Sequence, residues 1–263
     1  FFFSGIKSRR ASIHNRPAYN SEVHAAGDAG LAPLTNSYAD ARLADTIVIV
    51  GANPYETQTN YFLNHMVLNF NGETEALKQR TFVGETSASG RVIIVDPRRT
   101  MTVATAEAAA GKENVLHLQI EPGTDIPLLN AIARVVLEKR WHDIAFIRQR
   151  SEWQTFEAYQ RSSLGVDRPV AEFVAEAALD TGVAEEDIYK AADWIAAPKE
   201  KGERKRTLFH YEKGLIWGLK NYENIAAIVD LALMTGNVGK PGTGCSRLGG
   251  HQEAYVRPPY PGG

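Results

Sequence analysis

Three short segments that contain residues suited to ligand binding follow runs of apolar, β-branched residues. They are GANPYE at 51–56, DPRRT at 96–100 and EPGTD at 121–125. Asp96 and Asp125 are suited to accepting hydrogen bonds from a ribose hydroxyl or a guanine edge, and Arg98 and the amides near Gly51 to binding phosphate. One such segment alone is typical of an ordinary turn with a capping aspartate. Three in one sheet favour a nucleotide-like ligand.

Two polar loops carry further candidate residues. The segment from 233 to 259 holds six glycines, together with Arg247, His251 and Tyr255. Glycine at this density lets the backbone approach a large ligand closely. A flexible linker is the alternative, but linkers are rich in Gly and Ser and lack such interleaved residues. Near the start, HNRPAYNSE at 14–22 brings His14 and Glu22 to either side of Ala18; for His14 alone, a loop histidine bonded to backbone is the simpler interpretation.

The elements that must position these residues alternate between strand and helix. TIVIV at 46–50 is a continuous β-branched run, and similar runs occur at 92–95, 115–120 and 207–211. Such runs are typical of strands that are covered on both faces of a parallel sheet. Helical spacing at 125–138 and through 141–198 completes the pattern. The sequence therefore predicts an α/β fold, with a mostly parallel dinucleotide-binding-like sheet, flanking helices and a helical insertion.

The predicted organisation has three parts. Residues 1–45 belong to a preceding α/β region that carries the loop around Ala18. Residues 46–236 form the α/β domain, with its helical insertion at about 141–198. Residues 237–263 form a glycine-rich active-site loop. We expect the sequence to be an internal piece of a longer, multidomain chain, because it begins at Phe1 and stops at RPPYPGG without a closing element.

Composition and missing motifs exclude several classes of protein. The formal net charge of −2 argues against general nucleic-acid binding, and no apolar run reaches the roughly 20 residues that cross a bilayer. The single cysteine, Cys245, excludes a cysteine-ligated metal centre within this sequence. No G-x-G-x-x-G follows Val50, and no phosphate-binding loop of the G-x-x-x-x-G-K-[ST] type is present, which disfavours a standard NAD or ATP enzyme.

The four glycine- and carboxylate-bearing segments, taken together, resemble the cofactor-binding segments of the molybdopterin oxidoreductases of the dimethyl sulfoxide reductase type. GANPYE, VDPRRT, EPGTD and LMTGNVGKPGTG occur in the same order and spacing as in that family. Within it, HNRPAYNSE, NPYETQTNYFLNH, YEKGLIWG and RLGGHQEAYVRPPYPG resemble the catalytic large subunits of the arsenite oxidase group. The resemblance runs over essentially the whole chain.

The resemblance implies a role for each candidate residue. Most relatives place a metal ligand where this sequence has Ala18, so no side chain of this segment would ligate the metal. His14, Glu22, Arg247 and His251 would form the substrate site. The residues expected to bind the cofactor are Gly51, Asn53, Pro54, Glu56, Asp96, Arg98, Gly123, Asp125, Lys213, Gly214 and Gly244.

The chemistry implied is oxidation of arsenite to arsenate by oxygen-atom transfer. Arsenite is an uncharged trihydroxide near neutral pH and needs hydrogen-bond donors and acceptors, which His14 and His251 provide; Glu22 can accept a proton, and Arg247 can stabilise developing charge. Because the substrate is small, we expect the tips of these four side chains to lie within roughly 10 Å of one another.

The resemblance also implies cofactors and partners. The cofactors would be molybdenum with two molybdopterin guanine dinucleotides and an iron–sulfur cluster bound by cysteines outside this sequence. The partners would be arsenite, a small Rieske-type iron–sulfur subunit and a soluble electron acceptor such as a cytochrome or azurin, in the periplasm. Two alternatives stay open: another bis-pterin molybdenum oxidoreductase of the same fold, or a non-catalytic nucleotide-binding module.

Overall fold

The computed structural model describes residues 25–31, 35–84, 86–87 and 89–248. Its centre is one sheet of five parallel strands in the order β3-β2-β1-β4-β5. The strands are β1 (Thr46–Val50), β2 (Arg91–Val95), β3 (Val115–Leu118), β4 (Thr207–Tyr211) and β5 (Gly244–Arg247). The prediction of an α/β fold with a parallel sheet is confirmed.

Helices cover both faces of this sheet. In chain order they are α1 (Pro54–Thr57), α2 (Thr59–Tyr61), a π-helical turn (Phe62–Met66), α3 (Val67–Phe70), α4 (Glu75–Thr81), α5 (Met101–Ala110), α6 (Asp125–Glu138), α7 (Ile144–Arg150), α8 (Trp153–Ser162), α9 (Val170–Thr181), α10 (Glu185–Ala196), α11 (Lys213–Ile216) and α12 (Asn221–Met234). Short 3₁₀ turns occupy Tyr38–Arg42 and Lys112–Asn114. None of the helices in these ranges is long and apolar enough to cross a membrane.

The alternation of side chains along each strand divides the apolar core into two layers. Val48 and Val50 face a large cluster with α6, α9, α10 and α12, whereas Ile47 and Ile49 face a smaller one with the π-helical turn, α3 and α5. Burial on both faces explains why β1 is apolar at every position after Thr46. Helices α7 to α10 fill the stretch between β3 and β4, where the sequence predicted a helical insertion.

The order of the strands creates a switch point between β1 and β4. From β1 the chain builds outward through β2 and β3, and it then returns to the other side of β1 to add β4 and β5. Loops that leave β1 and β4 therefore turn towards opposite faces of the sheet. In open α/β sheets this is where ligands bind, at the carboxyl ends of the strands.

The fifth strand lies inside the segment for which the sequence predicted a loop. GCSR has a glycine, a small polar residue and a charge, and thus no apolar strand pattern. It becomes a strand because it pairs with β4, from Leu208 opposite Gly244 to Tyr211 opposite Arg247, and is buried along its length. Tertiary pairing overrides a weak local preference here. The predicted boundaries of the three parts stay predictions.

Candidate functional site

At the switch point, the ends of β1 and β4 are in direct backbone contact. Gly51 has a φ of +59°, which side-chain-bearing residues rarely adopt. The amide of Gly214 donates to the carbonyl of Gly51 at 2.9 Å, and the amide of Glu212 to that of Val50 at 3.2 Å. A Cβ on Gly51 would lie 2.7 Å from the Cα of Gly214, so the contact requires glycine on both sides.

After β1, the next candidate residues join helix α1 to helix α5. Asn53 Oδ1 accepts a hydrogen bond from Thr102 Oγ1 at 2.7 Å, and Thr102 Oγ1 accepts one from the amide of Tyr55 at 3.1 Å. Pro54 occupies the first position of α1, where its missing N–H is not needed. Asn53 and Pro54 therefore hold the loop in shape, while Glu56 is exposed on α1.

The loop after β2 buries one carboxylate and exposes one cation. Asp96 is 7% exposed, and its Oδ1 accepts a hydrogen bond from the amide of Arg98 at 2.8 Å. The carbonyl of Asp96 is bonded to Nε2 of His117, a residue of the neighbouring strand β3, at 2.9 Å. The side chain of Arg98 is exposed. Asp96 thus keeps acceptor capacity at the edge of the sheet, with a cation close by.

The loop after β3 brings a second buried carboxylate to the same edge. Asp125, the first residue of α6, is 7% exposed, and burial raises the pKa of its carboxyl. Gly123, two residues before it, has a φ of +88°, and a Cβ there would meet no atom of the described residues within 4 Å. The backbone at Gly123 is therefore open to a ligand. Helices α5 and α6 cover opposite faces of the sheet, and the binding of one nucleotide-like ligand by both Asp96 and Asp125 stays a prediction.

The ends of β4 and β5 carry a buried ion cluster. Arg247, with a side chain only 4% exposed, donates from Nε to Glu212 Oε1 and Oε2 at 3.2 and 3.1 Å and from Nη2 to Oε1 at 3.0 Å. Lys213 Nζ lies 2.5 Å from Oε1 of the same carboxylate. One carboxylate therefore faces two cations at the carboxyl edge, on the opposite side of the switch point from Asp96 and Asp125.

Of the remaining predicted residues, only Gly244 lies in the described part of the chain. Gly244 lies at the amino end of β5, and a Cβ there would meet Asn36 Cβ at 2.8 Å, so its absent side chain makes room for the side chains of Asn36 and Thr35. His14, Ala18, Glu22 and His251 lie outside the described residues. Their predicted convergence with Arg247 stays a prediction.

Glu212 is the residue that sequence reasoning missed. It directly follows the β4 run TLFHY, just as Asp96 directly follows the β2 run. A carboxylate at the carboxyl end of a predicted strand was therefore the available signal. The described residues hold no group of three or more His, Cys, Asp or Glu that would bind a metal ion, and burial raises the pKa of the Cys245 thiol.

Comparison with known proteins shows the family. The family model for molybdopterin oxidoreductases matches residues 11–256. The chain is 48% identical over 262 residues to the arsenite oxidase subunit AioA of Herminiimonas arsenicoxydans, which covers 99% of this chain and 30% of that protein. It is 31% identical over 263 residues to the iodate reductase subunit IdrA of Denitromonas iodatirespirans, covering 91% of this chain and 27% of that protein.

The fold agrees with this result. Acetylene hydratase from Pelobacter acetylenicus superposes with a TM-score of 0.55 at 18% identity, over 83% of this chain and 24% of that chain. The present chain thus spans less than a third of the length of these relatives. From the match of the family model over most of the sequence, the chain belongs to the molybdopterin oxidoreductase family.

Proposed function

We propose that the protein containing this chain oxidises arsenite to arsenate. The observation that carries the proposal is the 48% identity to the arsenite oxidase subunit AioA over 99% of the chain. The 262 aligned residues take in the sheet, the loop around Ala18 and the segment after β5. The proposal includes periplasmic location, a Rieske-type small subunit and a soluble electron acceptor such as a cytochrome or azurin.

Membership of the family implies a molybdenum–pterin cofactor, and the described residues fit such a group. Asp96 and Asp125 are buried acceptors at neighbouring strand ends, and acceptors of this kind suit the N–H donors of guanine. Thr100 Oγ1 is buried and has no hydrogen-bond partner among the described residues. Together with the open backbone at Gly123, these groups support the guanine dinucleotide form of the cofactor.

Further residues of the proposed cofactor site have separate roles. Gly51 and Gly214 would let the two strand ends close beneath the cofactor, and Arg98 and Lys213 would neutralise its phosphates. Asn53 and Pro54 would shape the loop, with Glu56 at its rim. When bound, the cofactor supplies a two-electron oxidation coupled to oxygen-atom transfer, and the electrons would leave through an iron–sulfur cluster held by cysteines elsewhere in the protein.

The protein's own residues would bind and orient the substrate. His14 and His251 would exchange hydrogen bonds with the hydroxyls of arsenite, and Glu22 would accept a proton from one of them. Arg247 would stabilise negative charge that develops on the oxygens as arsenate forms. Its burial supports this role, because a charge that is shielded from water acts more strongly on a nearby ligand.

Iodate reduction is a second candidate, supported by the 31% identity to an iodate reductase subunit. Iodate carries a negative charge, whereas arsenite near neutral pH does not. The pairing of Arg247 with Glu212 removes part of the positive charge that would attract an anion. This pairing favours arsenite as the substrate.

The two candidates are separated by assaying the purified full-length holoenzyme with a redox dye. We expect arsenite to reduce the oxidised dye and iodate to leave the reduced dye unchanged. Iodate-dependent oxidation of the dye without arsenite-dependent reduction would replace the proposal with the second candidate. If a protein that holds molybdenum shows neither reaction, both candidate functions are refuted.

A further inference from the structure

The ion pair between Glu212 and Arg247 is anchored at both ends by backbone. Tyr211, which precedes Glu212, pairs with Arg247 across β4 and β5, and the amide of Leu248 donates to the carbonyl of Tyr211 at 2.9 Å. The amide of Glu212 is bonded to β1, and its carbonyl accepts from the amide of Leu215 at 3.0 Å. Neither Cα can shift without disturbing the sheet, so the two side chains meet in one fixed geometry.

The contact uses one edge of the guanidinium. Both Nε and Nη2 of Arg247 donate to the carboxylate, which is the side-on, forked arrangement that fixes the plane of an arginine. Glu212 thereby determines the direction in which the rest of the guanidinium points. A lysine at 247 would not reproduce this geometry.

The same carboxylate sets the charge at this edge. Arg247 and Lys213 bring two positive charges, and Glu212 brings one negative charge within about 3 Å of each. The side chain of Glu212 is only 10% exposed, so water screens its field weakly. Without it, an anion next to Arg247 would experience one negative charge fewer beside the two cations.

We propose that Glu212 is a positioning residue: it orients Arg247 towards the substrate and limits the positive charge of the site so that the anionic product is released. The inference rests on the proposed function, in which a neutral substrate becomes an anionic product. An arginine alone would stabilise the developing charge and then hold the product. An arginine paired with Glu212 still stabilises the developing charge but holds the product less tightly.

The test uses the full-length holoenzyme and equilibrium binding of arsenate, measured by calorimetry on the oxidised protein. In Glu212→Gln, which keeps the shape and removes the charge, we expect arsenate to bind about tenfold more tightly. In Glu212→Asp, which keeps the charge and shortens the side chain, we expect arsenate affinity within about twofold of the wild type. The turnover number with arsenite should fall at least about tenfold in the Asp variant, because Arg247 loses its orientation.

The control is Glu138→Gln. Glu138 also pairs with an arginine, Arg134 Nη1 at 2.7 Å, but it lies at the last position of the 14-residue helix α6, roughly 20 Å along the helix from Asp125 at the carboxyl edge of the sheet. We expect neither arsenate affinity nor turnover to change in this variant.

Either of two results would overturn the proposal: unchanged or weaker arsenate binding in Glu212→Gln, or an unchanged turnover number in Glu212→Asp. If Glu212→Gln does not yield folded holoenzyme, Glu212→Asp decides: a lower turnover number with nearly unchanged arsenate affinity supports the proposal, and an unchanged turnover number overturns it. If the wild-type enzyme does not oxidise arsenite, the proposed function fails, but the comparison of arsenate binding still decides what Glu212 does to the charge of the site.

Discussion

The backbone contact between Gly51 and Gly214 predicts that Gly51→Ala will damage the protein more than an ordinary glycine substitution. Alanine at a φ of +59° costs about 1–2 kcal/mol from its left-handed conformation alone. Its Cβ would also lie 2.7 Å from the Cα of Gly214, where backbone atoms meet and no side chain can swing away. The ends of β1 and β4 must therefore separate.

That separation has a cost that the structure allows us to count. It breaks the hydrogen bond from the amide of Gly214 to the carbonyl of Gly51 and strains the one from Glu212 to Val50. At about 0.5–1.5 kcal/mol for each bond, plus the conformational strain, the expected loss is about 2–5 kcal/mol in the free energy of unfolding. Because the ends of β1 and β4 lie where the cofactor would bind, we also expect the variant to retain less pterin.

The matched control is Gly202→Ala. Gly202 has a φ of +81°, but in the described part of the chain no atom lies within 4 Å of the position of its Cβ, so it carries the conformational strain without the clash. Urea unfolding and pterin content of the full-length protein compare the two variants. We expect Gly202→Ala to lose about 1–2 kcal/mol and to keep its pterin. Equal losses in the two variants would show that the contact between β1 and β4 is not what requires glycine at 51.

Two further predictions concern His210 and Arg247. His210 is buried between Tyr61 Oη, 2.9 Å from Nε2, and the carbonyl of Ser246, 3.1 Å from Nδ1, and burial lowers its pKa to about 4. In the unfolded chain the pKa of histidine is about 6.5. The free energy of unfolding should therefore decline by about 3 kcal/mol as the pH falls from 6.5 to 4. Measuring the free energy of unfolding against pH should show this decline in the wild type and not in His210→Gln. Arg247→Ala should lower the turnover number with arsenite by roughly 10²-fold and raise the KM much less, because the charge of Arg247 matters most as arsenate forms. Steady-state kinetics with an unchanged turnover number and a raised KM would contradict the role assigned to Arg247.

The sequence predicted the central strands because β1, β2 and β4 are short runs of residues that favour strands, and nearly all of these residues are buried. It missed β5, whose residues have no strand pattern and are held in place by pairing with β4. The end of β3 was also shifted: the predicted run continued to Ile120, whereas the strand ends at Leu118. Periodicity reports burial, and it does not report which neighbour supplies the hydrogen bonds.

The positions of several candidate residues in the fold were predictable because they lie next to strand ends. Asp96, Asp125 and Lys213 follow strands or open helices at the carboxyl edge, as the sheet rule requires. Gly244 was assigned from the family resemblance, but its close contact with Asn36 gives it a packing reason that sequence cannot reveal. Glu212 was missed because only the folded chain shows that its carboxylate reaches Arg247.

The most direct test of the central claim is to purify the full-length protein, measure molybdenum and released guanine nucleotide, and titrate the same sample anaerobically with arsenite. We expect one molybdenum and two guanine nucleotides per protein, and two electrons delivered to the redox centres for each arsenite consumed, with arsenate as the product. A protein that holds molybdenum and pterin but is not reduced by arsenite would contradict the proposed substrate. A folded protein without molybdenum or pterin would contradict the account of the strand-end site itself.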